Sequence, residues 1–269
     1  MQDEKNLKRA ATAASEAARS VGALMRRHLA DVKKANEVTQ HDIKLELDVR
    51  SQKLIERTLR SAFPNVALLG EEGVAGDPNA EHRWVVDPID GTVNFAYGIP
   101  HACVSIALQR RTDDPKSGGY PDGYQTQAGV VYDPFCDEMW TAIRGQEARL
   151  NGKPIRVSKR SRLDEAIVSM GFAKDRETLE IMLPYFNQLV RRIRKTRIMG
   201  AAALALTYVA TGRFDAYIER SISIWDIAAG GLIVECAGGD FWRKPIPGEH
   251  KYTMIASNGL VRRNLRPPN

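Results

Sequence analysis

Three short acidic segments carry the residue types that could do chemistry: Gly70-Glu71-Glu72-Gly73, Asp87-Pro88-Ile89-Asp90-Gly91-Thr92 and Trp225-Asp226. The first two follow apolar, strand-like runs, and the third opens an apolar helical one. Carboxylates directly after buried strands are poorly placed for solubility. Where they converge, their repulsion at low dielectric is severe. A hard divalent cation relieves it, and all-oxygen ligands select magnesium, manganese or calcium over zinc. No HxxEH or paired histidine competes.

Pro88 fixes its own φ and biases Asp87 towards extended backbone, so a rigid DPxD turn can aim Asp87 and Asp90 at one point and expose the Ile89 carbonyl. Gly91 lets the chain bend closely around a ligand. The amides of Gly91 and Thr92 would then be donors for a phosphate oxygen, particularly if a helix starts there. Taken singly, each segment has a plainer explanation. DPxDG makes an ordinary turn, GEEG a solvated corner, and Asp226 an N-cap. Their joint occurrence is what points to a metal-assisted phosphate site.

The elements that must position these residues are legible in outline. Residues 3–33 read as one helix, with Leu7, Ala10, Ala14, Ala17, Val21, Leu24 and Leu29 on its apolar face. Residues 48–62 read as a second, buried through Leu54, Ile55, Thr58 and Leu59 and stopped by Pro64. Strand-like runs follow at 67–70, 84–87, 104–110, 128–133 and 138–143, then 214–219. Between two of them, Thr112–Gln127 is rich in Gly, Pro, Asp and Ser and reads as an exposed loop. Asn151-Gly152 signals a hairpin turn. Leu179–Ile193 reads as a helix with Pro184 near its first turn. Ala201–Ala210 reads as a buried helix closed by Gly212, and Trp225–Cys236 as a helix ended by Gly238-Gly239. The elements do not simply alternate, which argues for layered α and β structure and against a Rossmann sheet.

Composition sets the frame. The 269 residues are 43% hydrophobic and 27% charged, ordinary for a globular enzyme that buries its core without staples. The net charge of +6 would attract anions, phosphate esters and nucleic acid alike. Cys103, Cys136 and Cys236 are odd in number and far apart, so reduced thiols and a cytoplasmic location are expected. Cys103 and Cys236 read as packing residues. Residues 1–20 are charged and alanine-rich without an apolar h-region, so no signal peptide is expected, and the longest apolar run is too short to span a bilayer, so no membrane association is expected.

The three segments, with Val93-Asn94-Phe95 after the second and Glu235-Cys236-Ala237-Gly238-Gly239 after the third, resemble the signatures of the inositol monophosphatase family. WVVDPIDGTVNF is nearly the whole family motif, and the likeness runs from about residue 40 to about residue 258. It implies an αβαβα layered sandwich of the inositol monophosphatase and fructose-1,6-bisphosphatase kind, one domain over 1–269. Its halves would be a metal- and phosphate-binding α+β part over about 1–150 and an α/β part over about 151–269. By the resemblance, Glu71, Asp87 and the Ile89 carbonyl look like ligands of one Mg2+, and Asp87, Asp90 and Asp226 like ligands of a second. A third, weaker ion is implied near Glu71, and Mn2+ would substitute. Asp90, Gly91 and Thr92 would face the phosphate, and Asp48 would lie with Thr92 near the nucleophilic water. A homodimer and lithium inhibition are also implied. Where the family often has threonines before the position of Asp48, this chain reads Lys44-Leu45-Glu46-Leu47.

In the family an acidic residue seven positions before the last metal-binding Asp contacts substrate hydroxyls, and Glu219 holds that place here. Gly200, Ala201 and Ala202 match the small-residue turn of the substrate pocket. Inositol monophosphate is the first expectation, hydrolysed in line by activated water without a phosphoenzyme. Histidinol phosphate is the alternative. Fructose 1,6-bisphosphate and 3′-phosphoadenosine 5′-phosphate come behind it, since no basic motif marks a second phosphate site; Arg197, Arg213 and Arg220 lie near the pocket segments and could serve, though arginines so placed are more often surface or inter-subunit charges. A different class of function is binding to RNA or transcription machinery. Lys33-Lys34, Arg191-Arg192, Arg194-Lys195 and Arg262-Arg263 could contact a phosphate backbone, but no RNA-binding motif accompanies them. Nucleic acid is therefore not the expected partner.

Overall fold

A computed structural model describes residues 4–31, 35–38, 43–112, 118–173 and 175–268. The chain opens with α1 (Glu4–His28), a short antiparallel hairpin of β1 (Ala35–Val38) and β2 (Ile43–Leu45), and α2 (Glu46–Ala62). A large sheet follows: β3 (Ala67–Gly70), β4 (Gly73–Ala75), β5 (His82–Asp90), β6 (Cys103–Arg111), β7 (Tyr124–Asp133), β8 (Glu138–Ile143), β9 (Arg149–Leu150) and β10 (Lys153–Pro154). The short α3 (Thr92–Ala96) interrupts it after β5. The second sheet contains β11 (Ile167–Phe172), β12 (Lys195–Arg197), β13 (Ala216–Ser223), β14 (Asp240–Pro245) and β15 (Lys251–Ser257). Its helices are α4 (Arg176–Leu189), α5 (Ala202–Ala210) and α6 (Ile224–Cys236).

Strand alternation explains the layering. Trp84, Val86, Ile106, Leu108, Val130 and Tyr132 point to one face of the large sheet, where they meet Ala14, Val21, Ile55 and Leu59 of α1 and α2. Val85, Ala107 and Val131 point to the other face, against α5 and α6. Those helices are covered in turn by Tyr217, Met254 and Ala256 of the second sheet. Ile218 and Ile255, on its far face, pack against Met182 and Leu189 of α4. The sequence of layers is α, β, α, β, α, as expected from the resemblance. Elements covered on both sides lose their amphipathic pattern: every residue of β5 is buried, and α6 is apolar around its circumference.

Several expectations are corrected. The first helix ends at His28 rather than near residue 33; Lys33 and Lys34 lie outside the described residues. Pro184 sits in the interior of α4, not in its first turn, on an exposed face where the missing N–H is tolerated. The segment 112–127 is not simply an exposed loop. Tyr120 and Tyr124 are buried, β7 begins at Tyr124, and residues 113–117 lie outside the described residues. Arg243 stacks over Tyr120 and donates to the Gly119 carbonyl at 3.0 Å, tying this segment to the second sheet. Asn151 and Gly152 do form the β9–β10 turn, both with positive φ. Among the described residues no helix is long and apolar enough to cross a membrane.

Candidate active site

Strand pairing brings the first two acidic segments together. β3 runs parallel to β5 with Gly70 opposite Val86, so Glu71 and Asp87 leave adjacent strands at the same level. The Glu71 N–H donates to the Val86 carbonyl at 3.1 Å, and the two carboxyl groups lie close enough to shift each other's ionisation. β5 then breaks register with β6: Asp87 pairs Ser105 but Asp90 pairs Cys103. The expected DPxD turn is thus a β-bulge, which puts Asp87 and Asp90 on one side. The Asp87 carboxylate accepts from the Ile89 N–H at 3.0 Å.

The third segment arrives with α6. Ser105 Oγ donates to the Trp225 carbonyl at 3.0 Å, docking the start of α6 beside the bulge. Asp226, in the first turn, accepts from the Ser223 N–H at 2.9 Å. It therefore caps its own helix, as its plainer explanation holds, and faces the other acids as well. Ligand oxygens of Asp87, Asp90 and Asp226 lie within 4.8 Å of one another.

Asp90 has a further role that the sequence did not reveal. Its two carboxylate oxygens accept from the N–H groups of Ala202 and Ala203, at 3.0 and 2.7 Å, and cap the start of α5 from another layer. Cys103, expected only to pack, also donates to it at 3.4 Å. Ala202 lines the cavity, but its amide is committed to Asp90.

Around the bulge, Gly91 adopts φ 90°, and a Cβ there would come within 2.9 Å of the His101 carbonyl. Thr92 opens α3 and donates its hydroxyl to the Ile89 carbonyl at 2.8 Å. Asn94 donates to the carbonyls of His101 and Met199, at 2.9 and 2.8 Å, and so holds the Met199–Gly200 wall against the segment that follows Gly91. Asn94 stood in the quoted motif, but nothing in the sequence named its partners.

Glu219 reaches the same cavity from β13. It pairs across the sheet with Gly171, whose missing side chain leaves room for the carboxylate. Tyr217 donates its hydroxyl to Glu219. A bulge follows between Arg220 and Ile222, where Ser221 has φ 67° and lines the cavity. No sequence signal marked Ser221 or Gly171. Asp48 is buried in the first turn of α2, and its charge acts on Glu71.

These pieces enclose a cavity of about 340 Å³. Glu71, Asp87, Asp90, Glu219 and Asp226 line it, with no Lys, Arg or His among its lining residues. The mild positive charge of the chain lies elsewhere. Arg213 pairs with Glu138, Arg220 donates to Glu177 and Thr253, and Arg197 donates to the neighbouring Thr196 carbonyl. None of the three lines the cavity.

Burial first, and mutual repulsion second, push the acids up. Glu71 is raised to about 8, by burial and then the Asp226 charge. Asp90 is raised to about 7, by burial and Asp226, against the lowering pull of the Ala202 and Ala203 N–H groups. Asp87 lies well above the usual range through burial and the charges of Glu71, Asp90 and Asp226. Glu219 is also raised by burial and by Asp226 and Asp90, while Lys251 pulls it down. Acids that resist ionisation when alone, offering only oxygen, fit hard divalent cations.

The Inositol monophosphatase family profile matches residues 6–258, and the chain belongs to that family. It is 41% identical over 234 residues to the Nus factor SuhB of Pseudomonas aeruginosa, spanning 84% of this chain and 82% of that one. It is 37% identical over 233 residues to inositol monophosphatase 1 of Solanum lycopersicum, spanning 84% and 81%. The solved structure of extragenic suppressor protein suhB from Bartonella henselae superposes with a TM-score of 0.83 at 33% identity, over 94% of this chain and 95% of that one.

Proposed function

We propose that this protein hydrolyses a small phosphate monoester, inositol monophosphate foremost, with Mg2+ held in the acidic cavity. The observation that supports this most is the lining: five carboxylates and no cationic side chain. An ester that is itself an anion enters such a space only alongside cations. Glu71, Asp87, Asp90, Asp226 and the Ile89 carbonyl would hold two or three of them, with Mn2+ able to substitute. When bound, such cations neutralise the acids and supply the Lewis acidity that lowers the pKa of water.

The chain's own groups do the positioning. The proton of Thr92 is committed to the Ile89 carbonyl, so its oxygen is left to accept from an attacking water. Asp48 would orient that water or take its proton. The amides of Gly91 and Thr92 would hold the phosphate head. Glu219, fixed by Tyr217, would accept from vicinal hydroxyls of the substrate. Asp87 and Asp90 serve the cations, so no phosphoaspartate forms; trapping one would refute this. The homodimer, lithium inhibition and cytoplasmic location are supported by family membership alone.

A phosphate-release screen tests the proposal, over inositol phosphates, histidinol phosphate, fructose 1,6-bisphosphate and 3′-phosphoadenosine 5′-phosphate, with and without Mg2+. Inositol monophosphate should give the highest, Mg2+-dependent kcat/KM. Glu219→Gln should raise KM for the polyol ester by about tenfold, the value of one lost charged hydrogen bond, and leave an aryl phosphate unaffected. Release from none of the esters would overturn the proposal. Histidinol phosphate is the runner-up, since an ammonium also suits the crowded Glu219 carboxylate. A non-catalytic binding role is supported by the name Nus factor carried by the Pseudomonas relative. An RNA shift with a steep salt slope and no turnover would favour it.

A further inference from the structure

A second cavity, of about 530 Å³, lies between the later turns of α4 and the segment 263–268, away from the acidic cavity. Its polar lining is Tyr185, Gln188, Arg192, Arg263, Asn264 and Arg266, with no carboxylate among the lining residues. Arg192 and Arg263 belong to two arginine pairs that lie far apart in the sequence, and the fold brings them to one concave surface. Neither they nor Arg266 make a side-chain hydrogen bond or ion pair among the described residues. The contrast with their neighbour is informative. Arg262 is taken up by Asp240 at 3.0 Å, stacks over Trp242 and donates to the Leu265 carbonyl at 2.8 Å. That bond, with the return bond from the Leu265 N–H to the Arg262 carbonyl at 3.0 Å, fixes the terminal segment, and Leu265 and Pro268 are buried beneath it. The wall carrying Arg263 and Arg266 is thus held in place before any ligand arrives.

Three guanidinium groups without counter-charges among the described residues, joined by two amides and a phenol, make a donor-rich concavity. Guanidinium forks match phosphate oxygens in pairs. The volume is that of a small-molecule pocket, not of a groove for a duplex. We propose that this cavity binds a compact anion carrying two or more phosphate groups, at a site separate from the acidic one. The proposal does not rest on the phosphatase function.

The test is calorimetric titration of the full chain in metal-free buffer, with inorganic tripolyphosphate and, separately, ATP. Without cations the acidic cavity repels both probes. Saturable one-to-one binding is expected, weakening as salt rises. Arg263→Gln with Arg266→Gln should weaken it by about tenfold or more, and the paired Lys variants by less. Phosphate-ester turnover should match the wild type in both. Equal affinity for the two probes assigns recognition to the phosphates, and tighter ATP binding adds a base contact on the Tyr185 side. No saturable binding, binding unchanged by the Gln pair, or binding of single-stranded RNA without either small probe would overturn the proposal.

Discussion

Asp90 answers to two demands with one carboxylate. It closes the start of α5 and belongs to the three-acid group. Replacing it therefore disturbs a helix as well as a charge. Asp226 is the cleaner probe, because the carbonyl oxygen of Asn can still accept from the Ser223 N–H. Asn94 offers another separable effect. Asn94→Ala removes the donor to His101 and Met199 and should cost about 1–3 kcal/mol. Asn94→Asp should cost more, because it turns a carboxylate on those carbonyls. Thermal melts of the pair check the order; an Asp variant more stable than the Ala variant would contradict it. Gly91→Ala should lower stability by about 1–3 kcal/mol through φ 90° and the His101 carbonyl. The acids were legible in the sequence because strand-end carboxylates are chemically out of place there. Asn94, Cys103, Gly171 and Ser221 were not, because each acquires its meaning from a partner on another strand or loop.

Segments as a whole are placed by cover on both sides. α6 lies between the sheets, and its fit depends on glycines: Gly129 of β7 meets the Ala229 backbone, which a Cβ would approach to 2.9 Å. Backbone cannot swing aside as a side chain can, so Gly129→Ala should cost about 1–3 kcal/mol. A denaturant midpoint unchanged in that variant would show that the layers yield more easily than this packing implies. The same double cover explains what the sequence showed of these elements. β3, β8 and α6 were visible as apolar runs bounded by turn residues. β11, β14 and β15 were not separately legible. The turn-rich composition of 112–127 concealed the buried Tyr120 and Tyr124, and α4 absorbs Pro184 because that face meets solvent.

Taken as one body, the protein carries a net charge of +6 but is acidic at the five-carboxylate cavity, and this has a consequence for stability. Burial and the Asp226 charge push Glu71 and Asp90 up to about 8 and about 7, from ordinary values of 4.5 and 3.8. Over that window the folded, metal-free chain holds protons that the unfolded chain has released, so these groups make stability fall as pH rises. His82 and His101, lowered by burial, contribute a slope of the opposite sign below 6.5. Bound Mg2+ would remove only the carboxylate effect. The gain in Tm on adding Mg2+ should therefore grow between about pH 5 and pH 8, and a gain independent of pH would contradict it. The layered order could be inferred because the sequence resembles a known family, but the position of the charge could not. A net +6 says nothing of which face carries it.

The most direct measurement is calorimetric titration of Mg2+ into the wild-type chain and Asp226→Asn near pH 7.5, in two buffers of different ionisation enthalpy. If distant acids share cations, the wild type takes up Mg2+ saturably and releases protons as it does so. In the variant both uptake and release should be sharply reduced while the melt stays cooperative. A wild type that binds no Mg2+, or a variant that binds it equally well, would show that these carboxylates do not form a shared metal site.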